Sequence, residues 1–158
     1  MQALKNLGLI DVLHKVTKHK IPLLGICLGM QLLFDESDEF ELTQGLGLIS
    51  GKVTSLPKKT TIGEMQKIPS IGWRSLQKCN EIEWDGTLLK NINPGESLYF
   101  VHSFMAAPLS AKNCIAEYVY GGHKIVAMVQ NDNIVGCQFH PEKSGEAGLK
   151  VLRQFCAD

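Results

Sequence analysis

The sequence predicts an α/β fold: a mostly parallel sheet flanked by helices, with additional antiparallel strands. Three observations predict it. The apolar run Ile21-Pro22-Leu23-Leu24 leads through Gly25-Ile26-Cys27-Leu28-Gly29 into the helix-like segment Met30-Gln31-Leu32-Leu33-Phe34, a buried strand turning sharply into a helix. Helical stripes open and close the chain. Between them lie several runs rich in β-forming residues, two of which flank a short polar turn.

Taken in order, Leu4, Leu7, Ile10, Leu13 and Val16 form one apolar stripe, which predicts a helix over Leu4–Lys18. The basic cluster His14, Lys15, Lys18, His19 and Lys20 falls on its solvated face and last turn, where cations suit the helix dipole. Ile21–Gly25 reads as a short buried strand. A helix begins at Met30–Phe34, and the acidic stretch Asp35–Glu41 is its exposed end or a loop. Leu46–Leu56 reads as strand and turn, and Pro57–Gly63 as a surface loop. Lys67–Leu76, Ser97–Phe104, Cys114–Tyr120 and Ile125–Gln130 read as strands. Asn131-Asp132-Asn133 is a turn, because Asn and Asp tolerate left-handed geometry, and with Ile134–Phe139 it completes a hairpin. Ser144–Cys156 closes the chain as a helix with Ser144 at its N-cap.

Composition narrows the function classes. The 158 residues fit one domain, residues 1–158, and 44% are hydrophobic, enough for a sizeable core. Sixteen basic and sixteen acidic residues balance, so no clustered basic excess points to nucleic acid. No apolar stretch approaches the length needed to span a bilayer, and no secretory leader pattern opens the chain. The expected setting is the cytoplasm. Five cysteines at positions 27, 79, 114, 137 and 156 give an odd count without C-x-x-C spacing, so reduced thiols are expected rather than a disulfide framework or a zinc site. Cys114 and Cys137 lie in apolar runs that suit a core. His102, His123 and His140 do not cluster, and no metal or other cofactor is expected.

Two segments carry chemistry. In Gly25-Ile26-Cys27-Leu28-Gly29 the glycines allow a sharp turn, Cys27 stands at its apex, and the following helix N-terminus favours a thiolate. The alternative is a buried structural cysteine. Near the C-terminus, Gly136-Cys137-Gln138-Phe139-His140-Pro141-Glu142 ends a strand, since Pro141 cannot donate to a ladder. A nucleophilic cysteine needs a base within reach, and that base needs an orienting acceptor. His140 and Glu142 can supply both, and the combination is far more specific than either segment alone.

With these segments in view, the chain resembles the class I (triad) glutamine amidotransferases, and among them the glutaminase subunits of imidazole glycerol phosphate synthase. The resemblance rests on Pro22–Gln31, Ile71-Gly72-Trp73, Tyr99–Ser103 and Gly136–Gly145, and extends from Leu4 to Phe155. It implies hydrolysis of L-glutamine to glutamate and ammonia. Cys27 would attack the side-chain amide, His140 would move the proton, Glu142 would hold the imidazole, and a thioester would be hydrolysed by water. It also implies the Leu28 N–H as an oxyanion donor, Gln31, Ser103 and Phe104 as substrate-binding positions, and Trp73 and Lys143 on the face of a cyclase subunit, which forms a heterodimer and takes the ammonia into histidine biosynthesis.

The chain departs from the family pattern in three respects. The family carries an upstream segment with the first strands and a Gly-rich loop that supplies a second oxyanion donor, whereas this chain opens at the helix after that loop. The expectation is an N-terminally incomplete member, weakly active and poorly stable alone, since losing one oxyanion donor costs about two to three powers of ten in rate. Ser70 and Arg74 also stand where the family commonly has His and Asn. Three alternatives stay open: amidation in surface-sugar biosynthesis by the same chemistry, a non-catalytic binding subunit, and a Cys-based α/β-hydrolase. The order His140 before Glu142 disfavours the last.

Overall fold

The computed structural model describes residues 1–39, 41–80 and 82–157. Phe40, within the Asp35–Glu41 stretch discussed above, lies outside the described residues. Two helices open the chain, α1 (Gln2–Asn6) and α2 (Leu9–Lys18). The single apolar stripe over Leu4–Lys18 is therefore broken. Gly8 sits at φ 67°, and a left-handed residue cannot continue a right-handed helix. Leu4, Ile10 and Leu13 still pack inward, whereas Leu7, at the break, is exposed.

The chain continues with β1 (Leu23–Ile26), α3 (Leu28–Leu32), β2 (Phe34–Ser37), β3 (Thr43–Gln44), β4 (Ile49–Ser55), β5 (Ser70–Ser75), β6 (Gln77–Lys78), β7 (Ser97–His102), β8 (Phe104–Pro108), β9 (Cys114–Tyr120), β10 (His123–Asn131) and β11 (Ile134–Cys137). A 3-10 turn over Pro141–Lys143 then leads into α4 (Gly145–Ala157). The helix expected from Met30 through Phe34 is a single turn, and Phe34 already belongs to β2. Leu33, Phe34 and Met30 are buried together with Ile49 and Val53 of β4, so packing overrides the helical reading. The expected strand over Ser97–Phe104 divides at Ser103 into β7 and β8, which join different sheets.

The main sheet has the order β1-β11-β10-β9-β6, and a second sheet runs β3-β2-β4-β8. β5 and β7 form a separate pair. The α/β class holds, but the expected mostly parallel sheet is a mixed one. β1 with β11 and β2 with β4 run parallel, and the other pairings are antiparallel. The cause is local. β9–β10 and β10–β11 are hairpins, turning at Gly121-Gly122 and around Asp132, and a tight turn can only join antiparallel strands.

Alternation along β10 and β11 sends side chains to two cores. Ile125, Ala127, Val135 and Cys137 face a core that includes Phe100, Tyr118, Phe139 and Val151 of α4. Val129 and Ile134 face the second core, against which Leu4, Ile10 and Leu13 of the first two helices pack. The helices thus cover opposite faces of the main sheet.

Cys137 is a buried free thiol, as expected of a core position. Cys79 and Cys114 correct the expectation of reduced thiols, because the structure joins them in a disulfide. Pairing of β6 with β9 in the register Lys78↔Ala116 brings their Cα atoms to 5.8 Å, a proximity that sequence spacing does not reveal. Among the described residues no helix is long and apolar enough to cross a membrane.

Candidate functional site

β1 and β11 run parallel in the register Ile26↔Cys137, and the Cys27 N–H donates to the Cys137 carbonyl at 2.7 Å. The two chemistry-bearing segments therefore leave neighbouring strands at the same end. Cys27 adopts φ 50° and ψ −106°, a conformation rare for a residue with a Cβ. The turn is held by a close approach at Gly25, where a Cβ would lie 2.6 Å from the Gly29 carbonyl oxygen. Gly29 itself has open space around that position. Only one of the two elbow glycines is thus sterically demanded.

The Cys27 sulfur is half-buried. It lies 4.0 Å from the Val101 carbonyl oxygen, to which the thiol donates, and it accepts from Gln138 Nε2 at 3.6 Å. Burial pushes its pKa up, the Leu28 N–H and the Gln138 amide act in the opposite direction, and the Glu142 and Glu39 carboxylates add to the rise. The net direction is upward. This corrects the expectation that the helix N-terminus favours a thiolate: α3 has only five residues, and desolvation of the sulfur outweighs its end. The Leu28 N–H, expected to face an oxyanion, acts on the sulfur to lower its pKa.

His140 follows β11 and is fixed by its own backbone. Its N–H donates to the Tyr99 carbonyl at 2.9 Å, and its carbonyl accepts from the Ser144 hydroxyl at 2.6 Å. His140 Nδ1 lies 2.7 Å from Glu142 Oε1. A carboxylate accepts, so Nδ1 is the donor to it, and in the neutral ring with that tautomer Nε2 carries the lone pair. Nε2 is buried and has no hydrogen-bond partner among the described residues. The ring is thus set up as a base. Ser144, expected as an N-cap, serves this turn instead.

Gln31 stands one turn past Cys27. Its Nε2 donates to the Phe104 carbonyl at 3.2 Å and to Gln138 Oε1 at 3.0 Å. The Phe104 carbonyl also meets His102 Nδ1 at 2.7 Å, and the Ser103 carbonyl accepts from the Leu56 N–H. Both carbonyls of the segment expected to grip substrate are therefore occupied within the protein. A cleft of about 190 Å³ opens beside the elbow, lined by Leu28, Gln31, Leu32, Glu36, Ser37 and Glu39 among others. Glu36 and Glu39 were not picked out by the sequence reading, and their carboxylates suit a cationic group. Gln138 was also missed. Its signal was a lone amide inside the apolar run Ile134–Phe139.

The expected partner-face residues lie at the surface. Trp73 on β5 is 54% exposed, with an edge contact to Tyr99, so it is not a core aromatic. Lys143 is exposed on the turn that carries Glu142. Ser70 is buried and within reach of the Tyr118 hydroxyl, and the Arg74 guanidinium lies over the Tyr120 ring. Ser70 therefore faces the interior rather than a partner.

A family model described as glutamine amidotransferase class-I matches residues 5–158. The chain is 47% identical, over 98% of its length and 73% of the relative's, to imidazole glycerol phosphate synthase subunit HisH 1 of Legionella pneumophila (strain Lens). It is 41% identical to the HisH subunit of Geobacillus sp. (strain WCH70), over 99% of this chain and 72% of that one. Among solved structures, PurLQS from Thermotoga maritima matches 94% of this chain and 66% of its own, with a TM-score of 0.65 and 22% identity, a likeness of fold.

Proposed function

The chain belongs to the class-I glutamine amidotransferases, and on that premise we propose that it is the glutaminase subunit of an imidazole glycerol phosphate synthase, one glutaminase domain that hydrolyses L-glutamine and passes ammonia to a cyclase partner. The observation that supports the reading is the parallel register of β1 and β11, in which the Cys27 N–H bonds the Cys137 carbonyl on the strand that leads into the His140–Glu142 pair.

Cys27 rests as a thiol, because burial raises its pKa. His140 Nε2 takes the thiol proton as the sulfur attacks the amide carbon, and Glu142 stabilises the imidazolium through Nδ1. The tetrahedral intermediate collapses to a thioester as His140 returns the proton to departing ammonia. Water, deprotonated by the same nitrogen, then releases glutamate and restores the thiol. The Leu28 N–H, at the start of α3, serves as the oxyanion donor. Gln31 and the carboxylates of Glu36 and Glu39 line the cleft where the amino-acid end of glutamine would lie, and an ammonium there is matched by negative charge. Phe104 contributes by holding the Gln31 amide through its carbonyl, and Ser103 by anchoring the same segment to Leu56. Exposed Trp73 and Lys143 form part of the cyclase-facing surface, and the setting is the cytoplasm.

The test is glutamate release from glutamine by the chain alone and with a cognate cyclase carrying its ligand. Cyclase-stimulated release that Cys27→Ala abolishes and Glu142→Gln lowers by about two powers of ten or more is the expected result. Release that persists in Cys27→Ala overturns it.

A further inference from the structure

The amide of Gln138 is oriented by a chain of constraints that begins at a backbone carbonyl. The Phe104 oxygen can only accept, so the Gln31 group facing it is the NH2. The second hydrogen of that NH2 points at Gln138, whose near atom must then be the carbonyl oxygen, at 3.0 Å. The Gln138 NH2 is left facing the Cys27 sulfur, at 3.6 Å. Gln138 is fully buried, and its backbone N–H is tied to the Ala127 carbonyl at 2.8 Å. The amide thus cannot swing away without leaving polar atoms unpaired inside the protein, which holds its donor in place.

We propose that Gln138 is a further residue of the catalytic machinery: its carboxamide, aligned by Gln31 and the Phe104 carbonyl, donates a fixed N–H to the Cys27 sulfur and stabilises the charge the sulfur carries when it attacks. The proposal rests on the reading of Cys27 as the nucleophile. The other titratable groups that act on the sulfur are Glu39 after β2 and Glu142 on the turn after β11, and Cys137 on β11 is coupled to it. Both carboxylates oppose a thiolate, and Cys137 is itself held neutral by burial. Among the described residues the Gln138 amide is the side-chain donor at the sulfur, and it is open to substitution.

The experiment reads the ionisation of Cys27 directly, as the pH dependence of its alkylation by iodoacetamide, assigned to Cys27 by peptide mass spectrometry because Cys156 is also exposed. Gln138→Met keeps the volume and removes the donor. Its midpoint should rise by about one pH unit, which slows alkylation about tenfold below both midpoints. Gln138→Glu keeps the shape and replaces the donor with an acceptor, so its midpoint should rise at least as far. Gln31→Leu removes the group that orients Gln138 and should shift the midpoint in the same direction by less. A folded Gln138→Met that titrates with the wild-type midpoint overturns the proposal. If that variant does not fold, an unshifted Gln138→Glu overturns it equally. Glutamine turnover plays no part in this readout. A wild-type chain that releases no glutamate even with the cyclase and its ligand, yet whose Cys27 responds as described, would overturn the glutaminase reading and leave the Gln138 bond to the sulfur intact.

Discussion

The Ser144 hydroxyl donates a 2.6 Å hydrogen bond to the His140 carbonyl while accepting one of 2.9 Å from the Tyr99 N–H. Together with the His140 N–H on the Tyr99 carbonyl, this fastens the turn carrying His140 and Glu142 to β7 at both ends. Ser144 is buried, so no solvent can replace its hydroxyl.

Ser144→Ala should therefore act on stability and on catalysis together. Leaving the Tyr99 N–H without its acceptor costs about 1–3 kcal/mol. Loosening the His140 turn should lower kcat by about tenfold, with a smaller change in KM, because positioning rather than ground-state binding is lost. Urea unfolding and steady-state glutamate release check the two effects. An unchanged kcat would show that the turn is held by its backbone alone.

His102 predicts a loss of stability in mild acid. It is buried, with Nδ1 on the Phe104 carbonyl and Nε2 on the Tyr118 hydroxyl, both at 2.7 Å. Burial lowers its pKa to about 4, with the charges of Arg74 and His140 acting in the same direction and the bond to Phe104 opposing them. The folded state thus resists a proton that the unfolded chain takes up near pH 6.5. The penalty is absent above that pH, grows as pH falls towards 4, and reaches about 3 kcal/mol once both states are protonated. His102→Gln should flatten the pH dependence of unfolding in this window. A slope unchanged by the substitution would assign it to other groups.

The two elbow glycines should behave differently. Gly25→Ala drives a methyl into the Gly29 carbonyl, a backbone atom that cannot step aside, and should cost about 1–3 kcal/mol or more. Gly29→Ala meets nothing within 4 Å and lies within α3, so it should be neutral or stabilise by up to about 1 kcal/mol. Thermal melts of the two variants decide the point, and equal losses would refute the steric account.

What the sequence by itself determined is local chemistry. The elbow around Cys27, the His140-Pro141-Glu142 turn, the β10–β11 hairpin and the closing helix were all legible, because turn residues, apolar periodicity and reactive side chains are written in short windows. Tertiary structure decided everything that depends on which strands meet. Register of β1 against β11 brought Cys27 to Cys137, on the strand that leads into His140, and β6 against β9 brought Cys79 to Cys114. The upward direction of the Cys27 pKa came from burial that no local pattern reports. Gln138 shows the division most clearly. In sequence it is a polar residue inside an apolar strand, and only the side chains packed around it reveal that its amide has one orientation, with the donor on the sulfur. Long-range packing sets both desolvation and hydrogen-bond direction, and these determine how a site residue behaves.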